Sequence, residues 1–172
     1  MLRRGRRSER GATLIEFALV MVPFFLLLFG TLEVGFIFWG THELENATED
    51  AARQIRTGQV QAANMTPEAF KALVCSRVSL LAQCDSKLQL DVRSFANFNA
   101  LQSDPPAPLN PDGTLKTSFN WSPGGPRSIV LVSTFYQWPL LNVISSASLS
   151  NMANGDRLLR ASSAFQNENW PG

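Results

Sequence analysis

Histidine is almost missing from this chain. His42 is the only one in 172 residues, beside two cysteines and a single tyrosine. A Ser-His-Asp or Cys-His arrangement therefore has no base to draw on past residue 42. No glycine-rich phosphate loop follows a strand pattern, and no acidic group has the spacing of a metal site. Asp85, Asp91, Asp104 and Asp112 could supply a carboxylate pair, but nothing in their spacing selects two of them. No enzyme, cofactor, metal or small-molecule substrate is expected. Strong net charge is missing too, since fifteen basic residues face fourteen acids. That balance hides an asymmetry: Arg3, Arg4, Arg6, Arg7 and Arg10 all precede residue 12. Without residues 1–11 the chain has ten basic and thirteen acidic residues, so a nucleic-acid surface is not expected.

What the chain does have is a long apolar run. Phe17 to Leu32 is sixteen consecutive residues without a formal charge, and after Glu33 the run Val34 to Gly40 is apolar or small again. As a helix, Leu14 to Trp39 would extend ~39 Å, enough to cross a hydrocarbon core of ~30 Å with some tilt. A secretory signal peptide competes for this segment. The run exceeds the ~7–15 apolar residues of such signals. Phe36, Ile37, Phe38 and Trp39 also stand where a cleavage site needs small side chains. A single membrane span is the better reading. Arginines precede it, and Glu43, Glu45, Glu49 and Asp50 follow it. Positive residues stay on the cytoplasmic side, so the N-terminus is expected inside and residues 42–172 outside.

Past the span, Leu44, Ala47, Thr48, Ala51, Ala52 and Ile55 recur at helical spacing, with Glu49 and Arg53 four apart in the favourable order. The pattern predicts one helix from about Thr13 to Thr57, stopped by Gly58. Thr66-Pro67-Glu68 opens a second helix with a capping hydroxyl, a first-turn proline and an acid at the positive dipole end. Its stripe of Phe70, Leu73, Val74, Val78 and Leu81 is expected to face a sheet. Residues 88–93 alternate as a half-buried strand. Residues 128–136 are apolar on both faces, as a covered central strand would be. A further strand, 157–165, puts Leu159, Ala161 and Phe165 on one face. Residues 97–126 hold six of the ten prolines, with a turn at Pro111-Asp112-Gly113. So long a loop contains a short hairpin or serves an interaction. QWPLLNVI, residues 137–144, reads as core filler broken by Pro139, with a partner surface as the alternative.

Cys75 and Cys84 both lie on the expected outer side, where disulfides persist, and their spacing is not CxxC. A disulfide is expected, within one chain or between two. If it closes within one chain, the helix carrying Cys75 must end before Cys84. Nine helical residues span ~13 Å, beyond the ~7 Å reach between bridged Cα atoms.

Glu16 stands just inside the apolar run, directly after the basic cluster and Gly11. An ionised carboxylate deep in a bilayer costs on the order of 2.5–3.5 kcal/mol, so it needs a shallow position or a partner. A cut after Gly11 would supply one: Ala12 would carry a new amine, and Glu16 would be the fifth residue of the new chain. Such a carboxylate could pair with the Ala12 amine of a neighbouring helix. Pro23 removes a backbone donor within the span, so a kink at 19–23 is expected. Glu33 is ~25 Å further along the helix and is expected near the outer headgroups, solvated, with pairing to a neighbouring membrane protein as the alternative. Gly30, Gly35 and Gly40 do not have the GxxxG spacing.

The stretch RGATLIEFALVMVPFFLLLFGTLEVGF resembles the N-terminus of TadE-like proteins, the minor pseudopilins of tight-adherence (Flp-type) pilus systems. ATEDAARQIRTGQV resembles that family's post-membrane helix with its closing threonine-glycine. The cysteine pair sits where many members carry cysteines, and GDRLLRASSAFQNENW resembles the family's C-terminal strand with its Phe-x-Asn-Glu close. The resemblance implies processing by a prepilin peptidase between Gly11 and Ala12. Glu16 and Phe17 would be the acidic and aromatic positions of the motif, where processed pseudopilins typically show Glu-Tyr. It further implies a structural role beside other pilins or pseudopilins and pilus-assembly platform proteins, in a bacterial inner membrane with the C-terminal domain periplasmic. An uncleaved bitopic scaffold or envelope-binding protein is the alternative. The expected fold is α+β and pilin-like: a long N-terminal transmembrane helix continuing outward, and a second helix packed on a small antiparallel sheet of three or four strands. The expected organisation is a basic cytoplasmic leader (1–11), a transmembrane and extended helix (12–57) and an extracytoplasmic domain (58–172).

Overall fold

A computed structural model describes residues 9–103, 106–141 and 149–170. The arginines before residue 8 and the end of the QWPLLNVI segment lie outside the described residues. The first element, α1 (Glu9–Arg56), is a single helix of 48 residues. It runs unbroken past Pro23, whose ring removes the N–H that would pair with Leu19 O. Gly58 ends the helix in the left-handed region at φ 79°, as its position predicts, with its N–H on Ile55 O. A short α2 (Gln59–Ala62) follows, with no sequence signal of its own.

Burial divides α1 in two. From Leu14 to Leu32 nearly every side chain is exposed on all faces of the helix. From Glu33 onward a buried stripe appears: Ile37, Gly40, Leu44, Ala47, Thr48, Ala51, Ala52 and Ile55. These positions recur every three to four residues, the period of one helix face. The domain is folded against that face, so the second half of α1 is a core helix of the domain.

The second predicted helix is α3 (Pro67–Cys75), capped by Thr66, whose Oγ1 accepts from Ala69 N at 3.2 Å. Phe70 and Val74 are fully buried, and α3 packs against both α1 and the sheet. It ends at Cys75, and a within-chain disulfide to Cys84 closes the following turn with Cα atoms 5.6 Å apart. Cys84 opens the short α4 (Cys84–Lys87).

Three antiparallel strands form the sheet in the order β1-β2-β3: β1 (Leu88–Phe95), β2 (Ile129–Trp138) and β3 (Arg157–Gln166). Val130, Val132 and Tyr136 face the helices, while Phe119 from the long loop stacks on Phe135 across the other face. That loop contains α5 (Phe98–Ser103) and a hairpin in which Asn110 N donates to Thr114 O, turning at Gly113 with φ 79°. Its return, Asn120–Ser122, lies along the free edge of β1 through Val92 and covers it. The cover overturns the half-buried reading at one position. Asp91 is only 2% exposed, accepting from Asn120 N and from Arg93 Nε. The fold is α+β.

Candidate functional site

The residues expected to form the processing motif lie near the start of the described part of α1. Gly11, Glu16 and Phe17 are exposed, and the Gly11–Ala12 bond lies within the first turns of the helix. Glycine is ~1 kcal/mol worse than alanine in a helix interior, so Gly11 is a weak point of α1. Glu16 follows Ala12 by one helical turn, on the same face.

The apolar sleeve comes next. Residues 14–32 extend ~28 Å at ~1.5 Å each, close to the ~30 Å of a hydrocarbon core. A core helix of a soluble protein would hide such side chains, yet only 6% of its most apolar window is buried. Nor does α1 behave as a removable signal, because the same helix continues into the core of the domain. Among the described residues one helix is long and apolar enough to cross a membrane, and the chain reads as a single-pass membrane protein.

Glu33 marks the boundary between sleeve and stripe, and here the structure corrects the sequence reading. Its side chain is not solvated but 4% exposed, and Oε1 accepts from Leu141 N at 2.6 Å. The segment after β2 thus crosses α1 at the level where burial begins. Two turns further on, the Trp138 ring lies against Gly40, where an added Cβ would meet Cζ3 at 2.7 Å. Gly40 is therefore an approach site for an indole, a role its five-residue spacing from Gly35 did not disclose. Leu140 is buried, as core filler would be, but Leu141 is not. Beside these residues opens a mostly apolar cavity of about 250 Å³, lined by Glu33, Phe36, Leu80, Tyr136, Trp138 and Leu141 among others. Tyr136 donates to Ala82 O at 2.6 Å, and burial, aided by the nearby Asp156 charge, pushes its phenol upward.

Above the cavity, Glu43 ties the turn after α3 to α1. It accepts from Ser79 Oγ at 2.7 Å, Leu80 N at 2.9 Å and Ser79 N at 3.1 Å. Partial burial pushes this carboxyl up, but the three hydrogen bonds together outweigh it and hold the group below its ordinary value. Further out, Glu49, Asp50, Arg53 and Arg56 of α1 border a polar groove against residues 163–165 of β3. Glu49 and Arg53 form no ion pair with each other among the described residues. Asp50 instead pairs with Arg77 and Arg56 with Glu168.

The C-terminal segment locks the far end of α1. Glu168 N donates to Arg56 O at 2.9 Å, and Asn167 Nδ2 donates to Pro123 O and Gly125 O. The Trp170 ring lies against Gly58, 2.6 Å from where a Cβ would stand. The threonine-glycine close of the helix and the Phe-x-Asn-Glu close of the last strand are thus two sides of one contact.

Residues 11–53 match the family model described as TadE-like protein. The match covers most of α1, from Gly11 into the buried stripe, and bears out the resemblance read from those residues. No curated protein and no solved structure matched the chain.

Proposed function

We propose that this protein is a minor pseudopilin-like structural component needed for assembly of a tight-adherence pilus, matured after Gly11 by a prepilin peptidase. The observation that carries the reading is where the TadE-like match falls. Residues 11–53 begin at Gly11, where the cut is expected, include the whole lipid-length sleeve and end inside the stripe that forms the core of the domain. Such a chain is held in the bacterial inner membrane by residues 14–32. The arginines before residue 11 keep the N-terminus cytoplasmic and leave the α+β domain in the periplasm. Leader removal gives Ala12 a free amine. Glu16, exposed near the sleeve's entrance, then pairs with the Ala12 amine of an adjoining pilin or pseudopilin helix and sets the register of packing. The outer domain contacts other pilus components, among them pilus-assembly platform proteins.

Two measurements test this. Intact mass and N-terminal sequencing of the protein from its own membranes, with the peptidase present and deleted, should give a chain starting at Ala12 only when the peptidase is present. A chain retaining Arg10-Gly11 in both strains overturns the processing step and leaves an uncleaved bitopic scaffold. Glu16→Ala should leave membrane insertion intact and reduce piliation and crosslinking to partner pilins. Unchanged piliation would remove the assembly role of Glu16.

A further inference from the structure

We propose that the domain has a second contact with the bilayer, in which the segment Trp138–Leu141 rests on the lipid of the leaflet on the domain's own side. The inference rests on the reading of α1 as a membrane span, and it follows from where that segment meets the helix.

A hydrocarbon core of ~30 Å that begins at Leu14 ends about twenty residues later, at Glu33. Leu141 N donates to the Glu33 carboxylate at 2.6 Å, which fixes the backbone of the segment at that same level. On the helix, exposed apolar residues do not stop at Glu33. Phe36, Phe38 and Trp39 remain exposed, and Trp39 stands ~9 Å further along the axis. The segment therefore lies within the zone where apolar helix surface continues past the core. Aromatic rings of this kind are enriched at membrane interfaces. Its last described residue has matching chemistry: Leu141 is 71% exposed, while Leu140 beside it is buried. The cavity of about 250 Å³ opens at the same place, between Phe36 and Leu141. The exposed apolar surface of the span is thus followed, at the level of Glu33, by Leu141 and the mostly apolar cavity beside it. Lipid is the occupant that surface fits, because lipid already covers the helix on which it is built. Glu33 acts as the latch: its carboxylate satisfies the Leu141 N–H, a group that would otherwise meet hydrocarbon without a partner.

The test uses the full oxidised chain in phosphatidylcholine–phosphatidylglycerol vesicles, with an environment-sensitive fluorophore on one introduced cysteine at a time. The native cysteines are already joined to each other. Leu141→Cys is expected to show blue-shifted emission and quenching by lipid spin-labelled near the headgroup, as strongly as Trp39→Cys. Gln59→Cys, exposed beyond the far end of α1, should show neither effect. Leu19→Cys should be quenched by a deep spin label. Quenching at 19 with none at 141 would overturn the docking and leave the membrane span standing. No quenching at either would overturn both. A label at 141 that is shielded from aqueous iodide, unquenched by spin-labelled lipid and excimer-forming when pyrene replaces it would assign this face to a second copy and overturn the lipid contact.

Discussion

Thr48 and Thr134 offer the sharpest test of how the sheet is fastened to α1. Both are buried, at 1% and 0% exposure. Thr48 Oγ1 lies 2.6 Å from Leu44 O and also 2.6 Å from Thr134 Oγ1. A hydroxyl has one proton. With the Thr48 proton on Leu44 O, the contact between the two threonines needs the proton of Thr134, and the chain runs Thr134 to Thr48 to the helix carbonyl. The two isosteric replacements are therefore unequal. Thr48→Val strands the Thr134 donor in the core, which costs about 1–3 kcal/mol. Thr134→Val leaves Thr48 bonded to Leu44 O and removes a single accepted bond, about 0.5–1.5 kcal/mol. The double variant should cost no more than Thr48→Val alone, because the stranded donor is gone. Thermal unfolding of the full chain in detergent, followed by near-ultraviolet circular dichroism, reads these as shifts of about 2–4 °C per kcal/mol. If Thr134→Val proves as costly as Thr48→Val, or the double variant costs the sum of the two singles, the proposed direction of the hydrogen bonds is wrong.

Gly58 and Gly155 both have positive φ, +79° and +85°, but only Gly58 faces a ring. Alanine should cost roughly 1–2 kcal/mol at either for the backbone conformation, and measurably more at Gly58, where Trp170 must move; equal losses of melting temperature would dismiss the indole contact. Glu43 makes stability depend on acid. Its carboxyl is held below its ordinary value in the folded chain, so its contribution is complete above that value and is lost as pH falls through the lower, folded one. Glu43→Gln should therefore differ from the parent at neutral pH and converge with it as the solution is acidified, measured as unfolding midpoint against pH; a constant gap would show that charge plays no part. Removing the disulfide with paired Cys75→Ser and Cys84→Ser substitutions should cost roughly 2.5–3 kcal/mol for a loop of this length. An unchanged denaturation midpoint would show that the turn holds itself closed.

Much of this architecture was legible because it follows from local chemistry. The helix stop at Gly58, the cap at Thr66, the turn at Gly113 and the strands around Leu90, Val132 and Ala161 each follow from residue type at short spacing. The division of the long loop was half legible: a hairpin was one of two expectations, but its return along β1 was not foreseen. That edge cover is why Asp91, polar in an alternating strand, lies buried rather than outward. Glu33 was misplaced for a related reason. Read along the helix alone, an acid next to Leu32 belongs with headgroup water; only the chain returning from β2 brings a donor to it.

By itself, then, the sequence determined what each stretch must avoid or seek. Sixteen consecutive uncharged, mostly apolar residues need lipid, a glycine ends a helix, and two cysteines on one side of a membrane can join, because these are properties of neighbours in the chain. Only the tertiary structure decided which distant groups complete one another: Leu141 with Glu33, Trp138 with Gly40, Trp170 with Gly58 and Thr134 with Thr48. A hydrogen bond or a ring contact depends on distances of a few ångströms between segments that can be more than a hundred residues apart. Those distances are set by how the sheet twists and where α1 lies across it, and no local pattern records them.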